Sequence, residues 1–212
     1  MSDDGRTTLR RRHDGALELR VNGVFVMDDV ETSSERLLAR AAVDAGAREV
    51  LVGGLGLGFT LRELLATEQV TRVVVAELEP QLVAWMRDGT VAGAELLDDP
   101  RTSVVLSDVR DVVAAQRQAS LDAIVLDVDN GPDFLVHDAN AAVYESDFIG
   151  ACASRLRPEG RLCVWSMRDS EALTTALGST FAEVSAEPVP VRLQGRHEHY
   201  WILTGSSPRF AG

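Results

Sequence analysis

An apolar strand pattern, Val50-Leu51-Val52-Gly53, passes directly into Gly54-Leu55-Gly56-Leu57-Gly58 and then into a helical pattern that starts near Thr60. Glycines at 54, 56 and 58 let the backbone approach a ligand and pack the turn against the next helix, which is the chemistry of a nucleoside or nucleotide cradle, although the same composition also serves a plain turn. Carboxylates follow at the ends of the next apolar runs. Val73-Val74-Val75-Ala76 ends in Glu77, about 20 residues past the turn, where an acid accepts hydrogen bonds from the two ribose hydroxyls; Glu79 is its less favoured neighbour. Val104-Val105-Leu106-Ser107 ends in Asp108, placed to accept from an adenine amino group and equally suited to be the N-cap of a helix starting at Val109. Ile124-Val125-Leu126 delivers Asp127, Val128, Asp129, Asn130, Gly131 and Pro132. Carboxylates there hold an ammonium group or take its proton, so Asp127 and Asp129 are the catalytic candidates, while turn chemistry accounts for Asn130 as well.

These residues need elements that bring them to one edge. Strand-like runs at 50–53, 72–76, 103–106, 123–126 and 161–165 alternate with helical patterns at 60–67, 80–87, 109–116, 141–156 and 169–177. Such alternation implies parallel strands with right-handed crossovers, a Rossmann-like α/β sheet whose carboxyl edge collects ligands. The runs 181–186 and 199–203 carry no helix between them and predict an antiparallel hairpin at the sheet edge. Ahead of the first core strand, Thr32-Ser33-Ser34-Glu35 has capping-box spacing before a helix from about 33 to 45. Residues 17–21 and 24–26, joined by Asn22-Gly23, predict a short hairpin. The division expected is 1–30 as a flexible arm with this hairpin and 31–212 as the ligand-binding domain.

Net charge −12 over 212 residues argues against phosphate-rich partners, so neither nucleic acid nor an anionic membrane is expected, and a neutral or cationic small-molecule acceptor fits better. Arg10-Arg11-Arg12 reads as a solvated, frayed arm. Cys152 and Cys163 fall in apolar segments without paired spacing and are expected as reduced core thiols. His197 and His199 share a strand face with no third ligand nearby, so no metal is expected. Without an 18-residue apolar run or a leader pattern, a cytoplasmic location is expected; a homodimer is left open.

The residues resemble the spermidine synthase family of class I S-adenosylmethionine-binding proteins over roughly 21–167. The carriers are 21–29, the glycine turn with Leu61-Arg62-Glu63, Glu77-Leu78-Glu79, Asp98-Asp99-Pro100-Arg101, Ser107-Asp108, Asp127 with Asp129-Asn130-Gly131-Pro132, and Tyr144-Glu145 before Phe148. The resemblance implies a seven-stranded methyltransferase-like sheet, Glu77 on the ribose, Asp108 on adenine, and Asp127 with Asp129 beside an amine acceptor. It also exposes departures. The family's glycine turn carries an aspartate that helps hold the aminopropyl ammonium, and Leu57 stands at that position; the Tyr-His pair of the preceding helix is absent, with Ser34-Glu35-Arg36 nearby. On these departures the sequence favours S-adenosylmethionine as donor and methyl transfer to a small acceptor, with aminopropyl transfer from decarboxylated S-adenosylmethionine as the alternative and a non-catalytic nucleoside-binding protein as the second. An aspartate at position 57 is then expected to shift donor preference toward the decarboxylated form.

Overall fold

The computed structural model describes residues 7–128, 130–193 and 196–209. Three strands, β1 (Thr8–Arg11), β2 (Leu17–Val21) and β3 (Val24–Asp28), form a small antiparallel sheet in the order β1-β2-β3. The chain then runs α1 (Ser33–Val43), β4 (Glu49–Gly53), α2 (Phe59–Leu65), β5 (Arg72–Glu77), α3 (Pro80–Arg87), α4 (Ala94–Asp98), β6 (Thr102–Leu106), α5 (Val109–Ala114) and β7 (Leu121–Leu126). A 3-10 turn at Asp138–Tyr144 leads to α6 (Ser146–Arg155), β8 (Leu156–Ser166), α7 (Glu171–Thr180), β9 (Phe181–Leu193) and β10 (Arg196–Pro208). The seven-stranded sheet has the order β6-β5-β4-β7-β8-β10-β9, and only the pairings of β10 with β8 and with β9 are antiparallel.

The apolar runs that predicted central strands are continuous because both sheet faces are buried. Successive side chains alternate between two cores. Val50 and Val52, Val73 and Val75, and Ala123 and Val125 join the face packed with residues of α1, α2 and α3, whereas Leu51, Val74 and Ala76, and Ile124 and Leu126 join the face packed with α5, α6 and α7. Parallel β4, β5, β6 and β7 therefore end at one edge, where Gly53, Glu77, Leu106 and Leu126 hand over to the loops that carry the candidate residues.

Four features depart from the sequence reading. The stretch expected as a frayed arm contributes β1, which pairs Thr8–Arg11 with Leu17–Arg20, and Arg12 is held by Asp28 at 2.7 Å and Asp14 at 2.7 Å. Its alternating polar residues hid a strand that faces solvent on one side. The helix expected over 141–156 is interrupted, because Glu145 is extended at φ −82°, ψ 154° and separates the 3-10 turn from α6. Helix α4 was not foreseen in the acidic stretch after Gly93. The capping box is not made: the Thr32 side chain makes no cap hydrogen bond, and Glu35 is turned away into a buried position. Cys152 and Cys163 are buried free thiols, and loss of water pushes both thiols up, Cys163 to about 11.

Candidate functional site

A cleft enclosing about 940 Å³, part of it open to solvent, lies over the carboxyl edge of the sheet. That place suits a small molecule, since ligands of open α/β sheets collect at the carboxyl ends of the strands. Its floor is the glycine turn with Ala76 and Glu77, its far wall is Ser107, Asp108 and Val109, and its near wall is Asp127, Val128 and Asn130. The small N-terminal sheet closes one side through Leu19, Val21, Val26 and Met27, and Glu35 and Trp165 complete the lining.

Glu77 ends β5 and is 5% exposed. Its Oε2 accepts from the Leu55 N–H at 2.7 Å and its Oε1 from the Glu79 N–H at 2.7 Å. The carboxylate thus ties the strand end to the glycine turn and keeps lone pairs on the cleft side. Burial outweighs these bonds and holds its proton affinity above the ordinary carboxylate range. Asp108 fulfils one of its two expected roles directly: it is the N-cap of α5, its Oδ1 accepts from the Arg110 N–H at 2.8 Å, and Oδ2 pairs with the Arg110 guanidinium at 2.6 Å. That pairing lowers its pKa, and the residue still forms part of the cleft wall.

At all three glycines an added Cβ would press on protein atoms. A Cβ on Gly54, at φ +91°, would sit 2.1 Å from the Asp127 carbonyl oxygen, so this position lets the ends of β4 and β7 close on each other. Gly56 borders the cleft, but a Cβ there would meet Met27 Sδ at 2.7 Å. Gly58 is the N-cap of α2 against Met86 and Leu96 and lies off the cleft wall. Leu57 is 3% exposed and packs into the core, and its N–H meets Met27 Sδ at 3.4 Å; it too is off the cleft wall.

Asp127 follows β7, anchored by its N–H to the Gly53 carbonyl at 2.8 Å. Its Oδ2 accepts from Thr60 Oγ1 at 2.7 Å, and removal from water pushes its pKa up to about 6. Asp129, the second catalytic candidate, lies outside the described residues. Asn130 is buried, and its Nδ2 donates to the Phe25 carbonyl at 3.2 Å, fastening the acceptor loop to β3.

Glu35 is the site residue that the sequence reading missed. It is 6% exposed, accepts from Ser34 Oγ at 2.6 Å, and is pushed up to about 7 by burial first and by the Asp127 charge second. Its signal was present: residues 35, 38, 39 and 42 form the buried stripe of α1, and an acid on such a stripe needs a partner or a function. Cap-like spacing drew attention away from that stripe. None of the ion pairs among the described residues includes Glu35, Glu77, Glu79 or Asp127, so four carboxylates of the cleft lining stand outside them.

Residues 34–186 match the spermine/spermidine synthase domain. The polyamine aminopropyltransferase 2 of Pseudomonas aeruginosa is 34% identical over 150 residues, covering 65% of this chain and 40% of that protein. The polyamine aminopropyltransferase of Mycobacterium tuberculosis is 35% identical over 162 residues, covering 74% of this chain and 28% of that protein. Putrescine N-methyltransferase 4 of Nicotiana tabacum is 29% identical over 150 residues, or 71% of this chain and 36% of that protein. The chain thus spans less than half the length of these relatives. Among solved structures, a spermidine synthase in complex with the transition-state analogue AdoDATO superposes with TM-score 0.83 over 98% of this chain and 72% of that one, at 17% identity, which speaks for the fold. With the family model covering well over half of its residues, the chain belongs to the spermine/spermidine synthase family.

Proposed function

We propose that this chain transfers the aminopropyl group of decarboxylated S-adenosylmethionine to an amino group of a small polyamine. The observation that carries the reading is the end of the cleft where Asp127 and Glu35 lie together and enter none of the ion pairs among the described residues, a receptor for an ammonium group. This reverses the preference for methyl transfer drawn from the sequence. That preference rested in part on Leu57, whose side chain lies in the core, and the aminopropyltransferases of Pseudomonas aeruginosa and Mycobacterium tuberculosis are more similar to this chain than the Nicotiana tabacum methyltransferase is. Methyl transfer to the same class of amine is retained as a second reading because that methyltransferase still matches 71% of the chain.

In this reading the donor nucleoside spans the cleft, its ribose diol donating to Glu77 and its adenine lying beside Asp108. The sulfonium is already activated, and the protein aligns amine nitrogen, carbon and sulfur. Asp127 receives the acceptor's ammonium, and Asp129, two residues further along the sequence, is the second carboxylate assigned to this role. Incubation with putrescine and either donor, read by product mass, tests the reaction. Spermidine and 5′-methylthioadenosine from the decarboxylated donor are expected. N-methylputrescine from S-adenosylmethionine would establish the second reading, and no product from either donor would leave only a nucleoside-binding protein.

Glu77 provides a separate check. Glu77→Ala is expected to weaken 5′-methylthioadenosine binding by roughly 1.5–3 kcal/mol, the loss of hydrogen bonds to a charged acceptor. The same change strands the N–H groups of Leu55 and Glu79, so a lower melting temperature accompanies it. Calorimetry below the variant's unfolding range separates the two effects, and unchanged nucleoside affinity in the folded variant would reject the ribose assignment.

A further inference from the structure

Glu35 is the carboxylate of the cleft that no strand end supplies, and α1 spends a buried helix position on it. The first turn of α2 binds its segment to the acceptor loop: Thr60 Oγ1 lies 2.7 Å from Asp127 Oδ2 and 3.5 Å from the Glu35 backbone oxygen. A second, independent feature lies on the same stretch of wall. Trp165 is 7% exposed, its ring meets Tyr200 edge to face at 4.7 Å, and its Nε1–H is buried without a hydrogen-bond partner among the described residues. A buried donor left unpaired is costly, which marks this wall as a place where packing yields to another demand.

Resting on the polyamine reading above, we infer that Glu35 is a catalytic residue of the acceptor site, forming with Asp127 one acid–base unit that takes the proton from the substrate's attacking ammonium. The groups facing Glu35 are Asp127 from the end of β7, Glu31 from the loop before α1, Tyr200 from β10 and the Ser34 hydroxyl from α1 itself. Glu31 adds a like charge beside the two carboxyls while Tyr200 stays a neutral phenol, so the unit keeps one proton more readily than isolated carboxyls do, and an arriving cation drives that proton off. The free unit retains that proton near neutral pH, and binding of the ammonium releases it to solvent. One ammonium proton then passes to the vacated carboxylate, and the nitrogen lone pair forms the new bond to the carbon attached to sulfur. The carbon–sulfur bond breaks with its electron pair left on sulfur, giving a neutral thioether and a secondary ammonium product. The proton held by the unit returns to solvent as the product leaves.

Glu35→Gln tests this, since the amide oxygen still accepts from Ser34 Oγ while the titrating group is gone. Putrescine is titrated calorimetrically into protein saturated with 5′-methylthioadenosine, in buffers of differing ionisation enthalpy near neutral pH. The wild type is expected to release protons on binding, and Glu35→Gln to bind about tenfold more weakly or worse with little release. Transfer assays run alongside are expected to show kcat/KM for the amine down by about 100-fold, with the acid limb of the pH profile displaced to lower pH as Asp127 loses its like-charged neighbour. Equal affinity and equal proton release in the two proteins would overturn the role of Glu35 even if the wild type makes spermidine. Glu35-dependent proton release in a chain that moves no aminopropyl group would instead overturn the proposed reaction, and failure of the wild type to bind putrescine would overturn both. If Glu35→Gln loses methylthioadenosine binding and so the fold, Glu35→Asp carries the test: weaker binding with proton release retained supports the assignment, and binding without proton release overturns it.

Discussion

Asp127→Asn is expected to lower kcat/KM for the amine by about 100- to 10,000-fold, the range for loss of a positioned proton acceptor, while leaving 5′-methylthioadenosine affinity within a few-fold of wild type. The substitution is nearly isosteric, and the asparagine oxygen still accepts from Thr60 Oγ1, so the acceptor loop keeps its anchor. What it loses is the negative charge at the point where an ammonium must be held and deprotonated. The stability effect has the opposite sign. Burial lifts the Asp127 pKa to about 6 from an ordinary 3.8, so between these values the folded chain binds more protons than the unfolded chain. The contribution of this carboxyl to stability is therefore present at low pH and is lost as pH rises through about 6. Above that window the asparagine variant is expected to melt no lower than the wild type, and higher if the Glu35 charge also opposes ionisation. A variant that transfers aminopropyl groups within threefold of wild type would remove Asp127 from the acceptor chemistry; one that melts far below wild type at alkaline pH would show the carboxylate to be stabilising.

The fold was legible because its strands are buried on both faces. Runs such as Val73–Ala76 contain nothing polar, so the period-two alternation between the two cores does not have to be detected for the strand to be found, and Pro80 and Gly46 punctuate the neighbouring helices. The place of Glu77 and Asp108 on the cleft was legible for a related reason, since an acid directly after an all-apolar strand has one edge to occupy. Strand β1 was hidden because its residues, Thr-Leu-Arg-Arg, include one apolar side chain, Leu9, which packs against the core, while the two arginines are exposed. The place of Glu35 on the cleft was hidden by local rules that tertiary contacts override. Thr32 through Glu35 obey a capping pattern, yet the free energy of α1 is spent on its buried stripe, and that stripe points Glu35 at Asp127 across an interval of sequence that no short motif spans. Leu57 shows the converse error, in which a position matched along the chain was taken as a position facing the ligand.

Leu57→Asp should fail to fold stably rather than retune the donor. In the sequence reading, an aspartate at this position supplies the anion that an aminopropyl ammonium needs and shifts donor preference modestly. In the structure the Leu57 side chain is 3% exposed and belongs to the core that includes Leu61, Met86 and Leu96. An aspartate there forfeits the buried leucine contacts, roughly 2–5 kcal/mol by comparison with truncation to alanine, and adds the cost of an unpaired buried carboxyl, several kcal/mol more unless it is protonated. Together these approach the whole stability of an ordinary domain, about 5–15 kcal/mol. Thermal melts should therefore show Leu57→Asp largely unfolded at ambient temperature or lowered by about 10 °C or more, at roughly 2–4 °C per kcal/mol for a chain of this size. Leu57→Ala, which makes only the cavity, should fall between it and the wild type, and Leu57→Asp should recover part of its loss in mild acid, where the carboxyl enters the core uncharged. The opposite result, a Leu57→Asp protein that melts within a few degrees of wild type and binds the decarboxylated donor more tightly, would mean that the glycine turn presents residue 57 to the cleft when the donor is bound.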